Sequence, residues 1–297
     1  MTPWQPLSLG VMLVLAPALP GVAAKTRAVL TGRRGAPVLQ LYWDLLRLLR
    51  KGAVYSTTTT WLFRLAPVAA VVTPLLALSL LPLDGDGALL HFSGDFVALA
   101  AVLALGRFTL VLAALDTGSS FEGMGASRAA AFASLVEPAL FVCFVGLILR
   151  TSQFSLSSML GAAPAPSLVM VAVSLFFVLL AEASRVPVDD PATHLELTMI
   201  HEVAVLDHSG PDLALLLYGG ALRMGLFAAL PVTVLASRAA VSAPWVSAVV
   251  VAGTVAVAVA VGIIESAMAR LRLSRVPQFL VAASVLASLG VILQLLS

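Results

Sequence analysis

Eight apolar runs, over residues 6–24, 65–82, 95–115, 133–150, 167–182, 212–236, 243–264 and 277–296, decide what this chain can become. Each approaches or reaches the roughly 20 residues that cross the hydrocarbon core of a bilayer. In lipid, every backbone N–H and C=O must find its partner inside the protein, which leaves helices and closed barrels. The strict in–out alternation of barrel strands is missing, so the runs are read as helices. Composition agrees: 60% of the 297 residues are hydrophobic and 11% are charged, too apolar a balance for a soluble domain to bury. The expected fold class is an all-α integral membrane protein, one polytopic domain over 1–297 with about eight transmembrane helices. The first run ends in GVAA, which resembles a signal-cleavage site. MTPWQPLSLG carries no basic residue, however, and the basic residues follow the run, so a retained helix is expected.

Lysine and arginine give the orientation. Lys25, Arg27, Arg33, Arg34, Arg47, Arg50 and Lys51 lie between the first two runs, and Arg128, Arg185, Arg270, Arg272 and Arg275 fall on the same side. The opposite side has Arg150 and Arg238, and its LDGDGALLHFSGD loop holds three aspartates without a base. With the basic loops inside, both termini are expected outside. Within the first basic connection, VLQLYWDLLRLLRK puts Gln40, Asp44, Arg47 and Lys51 on one helical face and Leu41, Leu45, Leu48 and Leu49 on the other. An amphipathic helix over about 37–51 should lie on the membrane surface, as a headgroup anchor or as a platform for a soluble partner. Arg33, Arg34, Asp44 and Arg47 are candidate docking residues.

The stretch RVPVDDPATHLELTMIHE, 185–202, is dense in charge for such a chain. Glu182, Asp189, Asp190, Glu196, Glu202, Asp207 and Asp212 face one arginine, on the basic side. LELTMI and VAVL are apolar, and Asp190-Pro191 is a good helix start. The loop over 183–211 is therefore expected to be partly helical and packed against the membrane. There, desolvation and like charges raise carboxylate pKa values, which suits a proton relay. Glu137, Glu182, Asp189, Glu196 and Glu202 are the candidate path residues, expected in one buried cluster with Arg185 as counter-charge. Arg107 and Arg223 lie inside apolar runs, where each should face an acid or a polar cavity.

Enzyme motifs fail. His201-Glu202 begins like a zinc-protease helix, but the residue four after His201 is Val205. His194, His201 and His208 repeat every seven residues, about 10.5 Å along a helix and too far apart to share one metal; His194 and His201 are read as interface residues. One cysteine, Cys143, excludes an internal disulfide and a thiolate-ligated cluster within the chain. No phosphate loop or nucleophile elbow is present, and no catalytic residue, metal ligand or nucleic-acid surface is assigned.

AEASRVPVDDPATHLELTMIHE, followed by HSGPDLA, resembles the signature loop of membrane subunit 1 of proton-pumping NADH:quinone oxidoreductase, respiratory complex I. It is more similar to the hydrogenase branch of that family, formate hydrogenlyase subunit 4 and the equivalent hydrogenase-4 subunit. LDTGSSFEGMGASRAA with LVEP, and GRRGAPVLQLYWDLLRLLRK, also resemble that branch. The resemblance implies a tilted eight-helix bundle in a bacterial or archaeal cytoplasmic membrane, with a soluble arm docked on its inner face. It implies a non-catalytic anchor and coupling subunit of a membrane-bound (group 4) nickel–iron hydrogenase, linking electron transfer to proton or sodium movement. The implied partners are hydrogenase large and small subunits, an iron–sulfur subunit and antiporter-like membrane subunits, which would hold the nickel–iron centre and the clusters. Complex I lines a quinone chamber with this subunit, but Ala192, Thr193 and His194 stand here where glutamates follow the loop proline, which argues against ordinary quinone binding. The alternatives are the quinone-site subunit of an NADH dehydrogenase and a stand-alone ion transporter.

Overall fold

The computed structural model describes residues 4–84, 87–160, 165–189, 200, 202–236 and 243–296. Among them the chain is helical throughout, with one isolated bridge between Asp84 and Gly87. The helices are α1 (Trp4–Leu15), α2 (Ala18–Leu30), α3 (Gln40–Leu49), α4 (Trp61–Leu80), α5 (Asp95–Asp116), α6 (Ser120–Thr151), α7 (Leu156–Met159), α8 (Pro166–Glu182), α9 (Gly210–Leu235), α10 (Ala243–Ala267) and α11 (Val276–Leu295). Six are long and apolar enough to cross a membrane, the α1–α2 pair makes a bent seventh span, and α8 is a shorter apolar helix of 17 residues.

The first span is broken where the sequence predicts one helix. α1 and α2 meet at a 48° bend. Pro17 lacks the N–H that would bond the Leu13 carbonyl, and its ring crowds that turn. The freed carbonyls are taken by tyrosines from elsewhere: Tyr218 donates to Leu13 O at 3.3 Å, and Tyr42 donates to Val14 O. The bend thereby ties α1 to α9 and to the surface helix α3.

α6 starts at Ser120 rather than near 133 and runs 32 residues, about 48 Å at 1.5 Å per residue. The bilayer core is about 30 Å thick, so one end of α6 projects beyond it. α8 is only about 26 Å long. It packs against α6, α9 and α11 with most of its length buried. α9 is buried along most of its second half and packs on α4, α8 and α10. Together α8 and α9 form a buried spine, carrying Glu182 and Arg223, against which the other charged helices pack.

Small residues set the helix spacing, as expected where apolar contact with lipid offers no contrast to apolar contact with a neighbour. A Cβ at Gly219 would lie 2.2 Å from the Ala70 carbonyl oxygen, so α4 and α9 approach backbone to backbone there. One at Gly106 would lie 2.3 Å from Thr73 Oγ1, which seats α5 on α4 one residue before Arg107.

Candidate functional site

Arg107 projects from mid-α5 and is shared by two acids. One terminal nitrogen donates to Glu182, the last residue of α8, and the other to Glu137 of α6. One guanidinium thus joins three helices. Side-chain exposures of 15% for Arg107, 5% for Glu182 and 38% for Glu137 place the Glu182 end deepest. Its five N–H donors in a planar fork let arginine take two carboxylates at once.

A second pair of ion pairs fixes the start of the acidic loop. Arg185 pairs with Glu265 of α10 at 3.4 Å, and Arg270 pairs with Asp189 at 2.9 Å. Between them, the Leu271 N–H donates to the Pro187 carbonyl at 3.0 Å. The Ile200 N–H also donates to Asp189 at 3.2 Å. The end of α10 and the turn after it are therefore clamped to the turn after α8 by two ion pairs and a main-chain bond.

Beyond Glu182 lies a cavity of about 270 Å³ between α2, α4, α5, α8 and α9. Its walls are mostly aliphatic, and its polar lining among the described residues includes Glu182, Ser184, Arg185, Glu202 and Arg223. Arg223 of α9 is 9% exposed, its Nε has no hydrogen-bond partner, and no carboxylate among the described residues lies within ion-pair distance of its guanidinium. A lone arginine in apolar surroundings costs about 2.5–3.5 kcal/mol on insertion scales, so facing a polar-edged cavity is its physical accommodation.

The profile described as NADH dehydrogenase matches residues 6–296. This chain belongs to that family, the family of complex I membrane subunit 1. Hydrogenase-4 component C of Escherichia coli is 31% identical over 225 residues, 74% of this chain and 70% of that protein. Formate hydrogenlyase subunit 4 of the same organism is 39% identical over 132 residues, 44% of this chain and 43% of that protein. In fold, the chain is similar to one in the membrane-bound sulfane sulfur reductase, an archaeal respiratory membrane complex, with a TM-score of 0.83, 18% identity and 98% of both chains covered. The chain is thus a multi-pass membrane subunit of the complex I and hydrogenase family.

Among the described residues, the counter-charge of Glu137 and Glu182 is Arg107, where the sequence predicts Arg185. Three arginines hold four acids: Glu137 and Glu182 share Arg107, Glu265 takes Arg185, and Asp189 takes Arg270. The physical reason is that a buried carboxylate needs a counter-charge or strong hydrogen-bond donors, and arginines from α5 and the turn after α10 reach these acids. Arg107 faces acids, and Arg223 faces the polar-edged cavity. Glu202 lines the same cavity. Arg33, Arg34 and Arg47 are exposed, and Asp44 accepts from Gln40 at 3.0 Å one turn earlier on α3. Glu196, His194 and His201 lie outside the described residues. Among the described residues, no three of His, Cys, Asp or Glu gather as a metal site.

Sequence reasoning missed Glu265 and the specific role of Arg270. Glu265 falls one residue past the apolar run ending at 264, so it belonged to no predicted element. An acid directly after Gly-Ile-Ile, with Arg270 five residues on, was the available signal. His208 is fixed outside the membrane spans: it stacks on Phe63 at 3.9 Å and its Nε2 lies 3.3 Å from the Phe63 carbonyl, so that nitrogen carries the proton. Burial pushes this imidazole below its ordinary range, against the opposing pull of the Phe63 carbonyl, Asp212 and Asp207.

Proposed function

We propose that the chain is the membrane anchor and coupling subunit of a complex I-like, membrane-bound nickel–iron hydrogenase or formate hydrogenlyase. One observation carries the coupling role: Arg107 holds carboxylates from two different helices beside a cavity at the loop end of α8. Carboxylates that change partner or protonation state inside a bundle move charge between helices, which is what a link between an electron-transfer arm and an ion path requires. Glu137 and Glu182 are the path acids, entered from the cavity edge at Glu202. Asp189, clamped by Arg270, sets the position of the loop that follows it, and Glu196, within the same acidic stretch of sequence, is proposed as a further path acid.

The hydrogenase-4 and formate hydrogenlyase relatives support a hydrogenase setting. In this reading the nickel–iron centre and iron–sulfur clusters reside on large, small and iron–sulfur subunits, with antiporter-like subunits beside the chain in the cytoplasmic membrane. The exposed Arg33, Arg34 and Arg47 serve as the inner docking face, with both termini outside. Ala192, Thr193 and His194 stand where the complex I subunit carries glutamates after the loop proline, which sets this chain apart from an ordinary quinone chamber.

Purification in mild detergent through an affinity tag, with identification of the accompanying subunits, tests the setting. Hydrogenase large and small subunits are expected in stoichiometric amounts. NADH-dehydrogenase subunits instead, or no partner at all, would overturn it.

A further inference from the structure

Glu182 borders three cavities at once. It lines the 270 Å³ chamber and also two small voids whose walls include Arg107, whereas Arg223 lines only the chamber. Glu182 therefore shares a cavity wall with each of the two guanidiniums. The pairing between them is uneven: Arg107 holds both Glu137 and Glu182, and Arg223 holds no carboxylate among the described residues. Two positive and two negative groups could instead pair one to one. Moving Glu182 to Arg223 would leave Glu137 on Arg107 and no buried guanidinium alone.

The two arrangements have offsetting merits. The observed one gains two charge-assisted bonds on one fork. It sets two carboxylates side by side and leaves Arg223 without a counter-ion, and low-dielectric surroundings penalise both. The alternative removes both penalties and gives up the shared fork. Glu182 is the last residue of α8, where the chain turns off the helix with Ser184 at φ 51°, and its side chain lines both the voids beside Arg107 and the chamber beside Arg223.

We propose that Arg223 is a second seat for the Glu182 carboxylate, and that its passage from Arg107 to Arg223 gates the ion path. This rests on the reading of Glu137 and Glu182 as path acids. Arg223 is then a positioning residue. In the first seat Glu182 faces Glu137, and in the second it faces the chamber bordered by Arg185 and Glu202. The loop that follows Glu182 is clamped to the turn after α10, so a displacement of that clamp by a docked subunit would reach the seat directly.

The test uses the assembled complex. Arg107→Lys keeps the charge, but a compact ammonium does not reproduce the planar two-carboxylate fork. In a high-resolution structure of that variant complex, the Glu182 carboxylate is expected within about 4 Å of the Arg223 guanidinium. Glu182 remaining at position 107, or a solute anion on Arg223 in its place, would overturn the second seat. Independently of whether that variant assembles, Arg223→Gln should leave subunit content normal and lose most of the coupled ion movement, because the second seat is gone. Arg223→Lys should recover part of it, with the KM of the soluble arm for its donor unchanged. An Arg223→Gln complex that couples normally would refute the gate. If Glu137→Gln and Glu182→Gln also couple normally, the path assignment fails, while the position of Glu182 in the Arg107→Lys structure still decides the second seat.

Discussion

Arg107→Met removes the group that joins α5, α6 and α8 and leaves two carboxylates without their shared cation. Their exposures differ: 5% for the Glu182 side chain and 38% for that of Glu137. Removing one partner of a buried ion pair costs about 3–5 kcal/mol, because the other charge stays buried. Glu137 reaches the outside of the bundle, where its side chain has room to turn away, whereas Glu182 is enclosed, so Glu182 should carry most of the penalty. Neutralising it in the same molecule, as Arg107→Met/Glu182→Gln, should return most of the loss, whereas Arg107→Met/Glu137→Gln should return little. Methionine keeps the length and apolar contacts of the arginine stem, so the packing change is common to every variant. The assay is survival of the purified complex during graded heating in mild detergent, followed by tryptophan fluorescence and size exclusion. The expected order is wild type, then the Glu182→Gln double variant, then the Glu137→Gln double variant, with the two doubles separated by about 2 kcal/mol or more. Equal rescue by both, or an Arg107→Met complex as stable as wild type, would refute the reasoning.

Gly219→Ala places a methyl group against the Ala70 backbone, which cannot rotate away. It should destabilise the α4–α9 contact by about 1–3 kcal/mol in the same heating assay. Arg270→Gln should loosen the clamp, seen as faster amide exchange over 185–189 and 268–275 with the transmembrane helices unchanged. His208 is held neutral by burial, so its folded pKa lies below the unfolded value near 6.5. The unfolded state then binds more protons, and stability falls as pH drops below about 6.5 toward the folded value. His208→Phe, which keeps the stacking on Phe63, should remove that part of the acid sensitivity in thermal scans from neutral to mildly acidic pH.

The apolar runs were legible because bilayer thickness imposes length and hydropathy directly, and each of the eight lies on a helix or bent helix pair. The early start of α6 was not, because FEGMGASRAAAFASLV forms helix through small residues rather than through hydropathy. The break at Pro17 was hidden by the uniform apolarity around it. In the site, Glu137 and Glu182 could be placed at one depth because one lies at the start of the run over 133–150 and the other at the end of the run over 167–182, on the same side of the membrane. The identity of their cation could not be read, since the distance in sequence from Arg107 to Glu182 is closed only by the packing of α5 on α6 and α6 on α8. Counting arginines against acids within a loop misled for the same reason. The counter-charges came from α5 and from α10 and the turn after it, elements that no local pattern ties to the loop.

The most direct measurement is ion movement driven by hydrogen turnover in proteoliposomes containing the whole complex, compared between wild type and Glu182→Gln. The amide keeps the shape of the side chain and a hydrogen-bonding oxygen for Arg107 but cannot carry a negative charge or exchange a proton. The account predicts that the variant assembles with all subunits, that its soluble arm still evolves hydrogen from an artificial donor, and that coupled ion uptake is lost. A Glu182→Gln complex that assembles and moves ions at the wild-type rate would contradict it.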